Sequence, residues 1–255
     1  LFKGSSKVKL DERIDDIFGT NFSDGKYVEG LHYVGRKHNG VKYRIFDEHA
    51  TVWGTAGTSR QLKIKRRIGG KKVKKVRMGA FRGSKVLKEI RLGSQIRHIG
   101  TGSFAQCRKL ESVVGGCRIV FIGKKAFEDC FSLKKIRLPE TLRFLGAGAF
   151  ENCRKLENIR IPGKCTNVAK RAFSGCSRLH EVLLEEGILR LSENCFSGCR
   201  ELKEVTLPES LREVQAFAFK DCISLESVYA GADTVFDENA FADCPRVCVL
   251  KKVPE

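Results

Sequence analysis

The chain has 255 residues, 42% of them apolar, and a formal net charge of +18. That length and composition describe a folded, water-compatible protein of one large domain or two small ones. No run approaches the ~18–20 consecutive apolar residues that cross a bilayer as a helix, and residues 1–7 show no apolar core of the secretory-signal type. The charge is unevenly spread. Residues 60–91 carry 14 Lys+Arg against the single acid Glu89, residues 92–180 carry 17 against 6, and residues 181–255 carry 8 against 15. A molecule basic in its middle and acidic toward its C-terminal end steers charged partners, although such a field does not decide a fold.

Residues 1–40 read as an N-terminal extension. Within it Leu10, Ile14, Ile17 and Phe18 recur at helical spacing, with Asp11, Glu12, Asp15 and Asp16 opposite, which predicts a short amphipathic helix. Asn21-Phe22-Ser23 is a glycosylation triplet of the kind a chain this long holds by chance. The glycines at 35 and 40 bracket a basic stretch, but Val41 follows where a phosphate loop needs Lys. Residues 41–72 read as a cap. The runs Val41-Lys42-Tyr43-Arg44-Ile45-Phe46 and Ala50-Thr51-Val52-Trp53-Gly54 alternate like two strands of a hairpin.

A basic run follows, made of Lys63, Lys65, Arg66, Arg67, Lys71, Lys72, Lys74, Lys75 and Arg77. Like charges this close repel, and an anion relieves the repulsion. These nine residues are the candidate anion-binding set, for RNA, a lipid surface, a sulfated glycan or an acidic protein.

Residues 73–255 repeat. Phe stands at 81, 104, 127, 150, 173, 196 and 219, each 23 residues after the last, and again at 241. Cys follows three residues later from Cys107 to Cys244, and Leu three residues after that from Leu110 to Leu225. A segment such as Leu133-Lys134-Lys135-Ile136-Arg137-Leu138 alternates as a strand, and Pro139 ends it. A second apolar run, Leu142-Arg143-Phe144-Leu145, precedes a corner of small residues that turns the chain and drives Phe150 inward. One such coil cannot bury its own apolar face, so the coils must stack. Val114-Gly115-Gly116 and Tyr229-Ala230-Gly231 depart from the strand pattern and are expected to weaken two strands.

Eleven cysteines raise the question of metal or disulfides. The seven ladder positions, with Cys165 and Cys195, read instead as small apolar core residues. Cys195/Cys199 and Cys244/Cys248 are the close pairs, and no His accompanies either, so neither resembles a zinc site. The five His residues lie in no context that builds a nucleophile–base pair. No catalytic residue, metal site or cofactor site is assigned.

Stacking aligns the outward strand residue of successive coils into a stripe, Arg91, Val114, Arg137, Arg160, Leu183, Thr206 and Tyr229. Arg91, Arg137, Arg160, Leu183 and Tyr229 are the candidate partner-binding residues, since Arg and Tyr are frequent interface anchors.

The repeated Ala-Phe-x-x-Cys-x-x-Leu element, with its Pro- or Gly-ended strand, resembles the BspA-like leucine-rich-repeat family over about residues 73–250. The resemblance implies an α/β-type repeat protein dominated by short β-strands, a right-handed leucine-rich-repeat-like solenoid with an N-terminal cap. It also implies a non-enzymatic protein-binding role in adhesion at the cell surface or after secretion. The basic half fits a second role, an intracellular scaffold docked on RNA or another anionic surface. The opposed charges of the two ends also allow head-to-tail self-association.

Overall fold

The computed structural model describes residues 33–55 and 57–251. The helix predicted at residues 9–18 lies outside them. Every regular element described is a strand. The N-terminal part holds β1 (Val34–His38), β2 (Val41–Ile45), β3 (Ala50–Thr55), β4 (Gln61–Lys63), β5 (Arg67–Ile68) and β6 (Lys71–Val76). Each later coil contributes a longer and a shorter strand. In order these are β7 (Glu89–Leu92), β8 (His98–Ile99), β9 (Ser112–Gly115), β10 (Phe121–Ile122), β11 (Lys135–Ile136), β12 (Phe144–Leu145) and β13 (Asn158–Ile161). They continue through β14 (Asn167–Val168), β15 (Glu181–Leu184), β16 (Arg190–Leu191), β17 (Glu204–Thr206), β18 (Glu213–Val214), β19 (Ser227–Ala230), β20 (Val235–Phe236) and β21 (Cys248–Lys251).

The strands form two parallel walls. The first runs β4-β7-β9-β11, then β13-β15, then β17-β19-β21; the second runs β3-β6-β8-β10-β12, then β14-β16-β18-β20. Nine first-wall strands at roughly 4.8 Å spacing make a wall about 38 Å long. The chain is a strand-rich solenoid, and turns replace helices on the remaining side of each described coil. The strands at Val114-Gly115 and Tyr229-Ala230 keep four residues each, whereas β11 has two. Glycine retains its backbone donor and acceptor, so the ladder survives the lost side chain.

The interior consists of columns. Phe81, Phe104, Phe127, Phe150, Phe173, Phe196 and Phe219 are buried, and each ring stacks on the next. Centroids lie 5.0 Å apart for Phe104–Phe127 and 5.6 Å for Phe196–Phe219, within the favourable range for aromatic pairs. The cysteine column does more than fill space. Each thiol donates to the carbonyl of the Phe one coil and three residues back, from Cys107 Sγ to Phe81 O at 3.0 Å through Cys130 to Phe104 at 3.2 Å and Cys244 to Phe219 at 3.0 Å. Two residues after each Phe from Phe104 to Phe241 the backbone turns left-handed, at Gln106, Asp129, Asn152, Gly175, Gly198, Asp221 and Asp243. Six of these seven are Gly, Asn or Asp, the residues that enter this region at least cost.

The cap closes the N-terminal edge. β1 and β2 form a hairpin around Asn39-Gly40, both at positive φ, and β2 pairs antiparallel with β3. The β2–β3 pairing is the hairpin predicted from alternation. β1 was absent from that prediction, although Asn-Gly between two strands is a strong hairpin signal. Val41, Tyr43, Ala50 and Val52 join the core, and Tyr43 Oη accepts the Lys65 backbone N–H at 3.2 Å.

Candidate recognition face

The outward positions of the first wall align by strand register. Lys63 lies beside Arg91, Arg91 beside Val114, Arg160 beside Leu183, Thr206 beside Tyr229, and Tyr229 beside Leu250. Alternation fixes this, because Ile90 and Leu92 face the core and Arg91 between them cannot. Val114 is 48% exposed and Leu183 51%, so two large apolar side chains stand in water between charged neighbours. The stripe is basic at Lys63 and Arg91 and changes to polar and apolar character at Thr206, Tyr229 and Leu250.

The charged members differ in freedom. Arg91 Nε bonds Glu89 on its own strand at 2.7 Å, and Arg160 bridges Glu140 and Glu185 from neighbouring coils. Arg137 has no ion-pair partner among the described residues. Exposed ion pairs contribute only about 0–1 kcal/mol each, so these bridges orient guanidinium groups more than they stabilise the fold. The sequence singled out Arg160 as a partner-binding residue and could not show these pairs, because the two carboxylates come from the coils on either side. Around Arg137 the wall breaks between β11 and β13, leaving a shallow depression lined by Val114, Cys117, Ile136, Pro139 and Glu140.

The basic run is divided. Lys63 joins the first wall, and Lys65 and Arg66 lie exposed at the corner. Arg67, Lys71 and Lys72 project from the β5–β6 hairpin, where Arg67 Nη1 donates to Gly70 O at 2.6 Å. Lys74, Lys75 and Arg77 fall on the second wall and are half-buried. There Arg77 packs 4.0 Å from the Trp53 ring centre, and Arg44 lies 3.3 Å from the same ring and 4.1 Å from that of Tyr33. Burial, with Lys74 alongside, lowers the Lys75 pKa, and burial followed by Lys75, Arg97 and His49 brings His98 down to about 4. Sequence reasoning missed this cation–π stack, since its members come from three strands.

Burial pushes the Cys107 and Cys165 thiols up to about 11 and Cys176 to about 12. Cys130, Cys153, Cys195 and Cys199 move in the same direction for the same reason. A neutral buried thiol is a poor nucleophile and a poor metal ligand. No group of three or more His, Cys, Asp or Glu residues is placed to hold a metal among the described residues.

Residues 60–176 and 120–248 match the BspA type leucine-rich repeat region, in six copies. The chain belongs to the BspA-type leucine-rich-repeat family. A leucine-rich repeat protein from Bacteroides ovatus superposes with a TM-score of 0.66 at 27% identity, over 86% of this chain and 60% of that one. The chain therefore spans about three-fifths of that protein's length. A leucine-rich repeat protein from T. pallidum gives a TM-score of 0.52 at 25% identity, over 66% of this chain and 91% of that one. No curated protein matches the sequence. Seen as BspA-type coils, the buried Phe and Cys columns are the scaffold, and the outward first-wall residues are what the wall presents to solvent. Repeat arrays of this kind suit protein–protein or surface recognition, and no described helix is long and apolar enough to cross a membrane.

Proposed function

We propose that the chain is a non-enzymatic recognition module that binds a protein partner on the outer face of its first wall. The recurrence of Val114 and Leu183, each about half exposed, at outward first-wall positions equivalent to those of Arg91, Arg137, Arg160 and Tyr229 carries this reading. Exposed apolar side chains set among cations and an aromatic ring have the composition of an interface centre. A rigid parallel wall presents them without an ordering cost on binding. A surface or secreted adhesion role follows from the family and is part of the same proposal. The test is a photo-crosslinking residue placed at Val114, at Leu183 and, as control, at Lys155 on another side of the coil, in the cells that make the protein. One shared adduct from the first two positions, absent from the third, supports the reading; no shared adduct overturns it.

The net positive charge of residues 60–91 favours a second reading, a scaffold held on an anionic surface. Its mark is binding of RNA or heparin that falls steeply with salt and is lost when Lys71 and Lys72 become Glu. Division of the basic run over three surfaces weakens this reading, because a phosphate backbone needs a continuous track.

A further inference from the structure

On the first wall the repeat leaves out one side chain. Leu92, Leu138, Ile161, Leu184 and Leu207 occupy the same inward position in their coils, and all are buried. Gly115 stands at that position in its own coil, in register with Leu92, with φ at +90°, a conformation that favours glycine. The omission leaves a hole. Ile136 on the next coil is partly exposed, whereas the equivalent Ile90 and Ile159 are 0% and 3% exposed. Val114, Gly115, Ile136 and Pro139 line the resulting depression of about 680 Å³. Glu140 on its rim is already paired with Arg160.

A second cavity, of about 430 Å³, opens between the cap and the first two strands of the same wall. Lys63, Lys65, Arg66 and Arg91 line it with His38 and Ser94, and no acid does. Lys63, Lys65 and Arg66 are exposed and have no ion-pair partner among the described residues, while Arg91 has Glu89 on its own strand. Four cations around one cavity repel each other, and an anion relieves this. The two cavities keep a fixed spacing. β4 and β7 border the basic one and β9 and β11 the apolar one, so they lie two strand steps apart, roughly 10 Å. Extended polypeptide covers that distance in about three residues. An occupant of both therefore carries negative charge at one point and an apolar side chain about three residues away. A sulfated sugar chain answers the cations but has nothing apolar for the hole.

We propose that the two cavities are subsites for one acidic linear segment of a protein partner. Its carboxylates meet Lys63, Lys65, Arg66 and Arg91, and its apolar side chain seats at Gly115 between Val114 and Ile136. This rests on the first wall being the recognition face, and names what part of a partner that face reads.

Fluorescence anisotropy on the whole chain with labelled synthetic peptides tests this. The probe has a block of acidic residues, two Ser and a Phe, and is made in both sequence orders. The expected result is binding of at least one order, weakened about tenfold when the probe's Phe becomes Ser. Lys63→Glu/Arg66→Glu and, separately, Val114→Asp weaken it by a similar factor. All three side chains are exposed, so these variants keep the fold. Lys63→Glu/Arg66→Glu in turn binds a probe whose acids are replaced by Lys. Saturating probe also slows modification of Cys117, on the rim of the depression, and not of exposed Cys248 on the last strand. No binding of either order at low salt overturns the proposal. Equal binding of the Phe and Ser probes, or binding that leaves Cys117 unprotected, also overturns it, by leaving a site for negative charge alone. Shared adducts at Val114 and Leu183 without probe binding remove the two subsites and leave the recognition face standing.

Discussion

Phe150 sits in the middle of the ring column, fully buried, with Phe127 at 5.1 Å on one side and Phe173 at 5.3 Å on the other. Phe150→Ala removes a buried aromatic side chain, which costs about 3–5 kcal/mol in a packed core, the lost ring contacts included. Because coils touch only their neighbours, the cavity also uncouples the array on its two sides. Guanidinium unfolding followed by two probes separates these effects. Trp53, stacked between Arg44 and Arg77, reports on the N-terminal end, and circular dichroism reports on all coils. In the wild type the two transitions coincide; in Phe150→Ala both shift to lower denaturant and they part from one another. Phe144→Ala is the control. Its ring stacks on Phe121 but lies outside the core cluster, so it costs about 1.5 kcal/mol or less, and its transitions stay together. A Phe150→Ala loss below about 1.5 kcal/mol, or equal losses in the two variants, would show that the ring column is not what holds the coils together.

Two further outcomes follow from the packing. A Cβ on Gly146 would stand 2.4 Å from the Lys124 backbone nitrogen, whereas one on Gly35 meets nothing within 4 Å. Gly146→Ala should cost about 1–3 kcal/mol and Gly35→Ala close to nothing, measured by the same unfolding assay. Exposed Cys117 and Cys248 should be the thiols that a water-soluble disulfide reagent modifies fastest in the native chain, and the buried ladder thiols Cys107, Cys130, Cys153, Cys176, Cys199 and Cys222 should react only on unfolding. The ladder also sets a pH limit. Folding raises the Cys107 and Cys165 pKa values from 9.0 to about 11, so their contribution is complete below pH 9 and falls as pH rises to about 11. Each such thiol loses about 1.4 kcal/mol per pH unit in that window. Stability that stays flat from pH 8 to 11 would contradict the burial of the ladder.

The coil was readable because its period is carried by residues that cannot be elsewhere. A Phe, a Cys and a Leu at fixed spacing stay inside when coils stack, and each stands where the repeat requires. What bonds across coils was not readable. The thiol-to-carbonyl links, the double bridge on Arg160 and the Arg44–Trp53–Arg77 stack each join residues whose proximity depends on how strands align. The second apolar run, Phe144-Leu145, offered two apolar neighbours and no alternation to rank them. The structure turns Leu145 inward and leaves Phe144 on the outer face. The stripe of Arg91, Leu183 and Tyr229 was legible from alternation alone, but which of its cations are already paired was not.

The most direct measurement takes the partner captured at Val114 and Leu183 and compares its affinity for three forms of the chain. Val114→Glu/Leu183→Glu should weaken binding at least tenfold, a change of about 1.4 kcal/mol or more. Lys109→Glu/Lys155→Glu, away from the first wall, should leave it within about twofold, under roughly 0.5 kcal/mol. Equal losses in the two variants, or none in the first, would place recognition elsewhere on the solenoid.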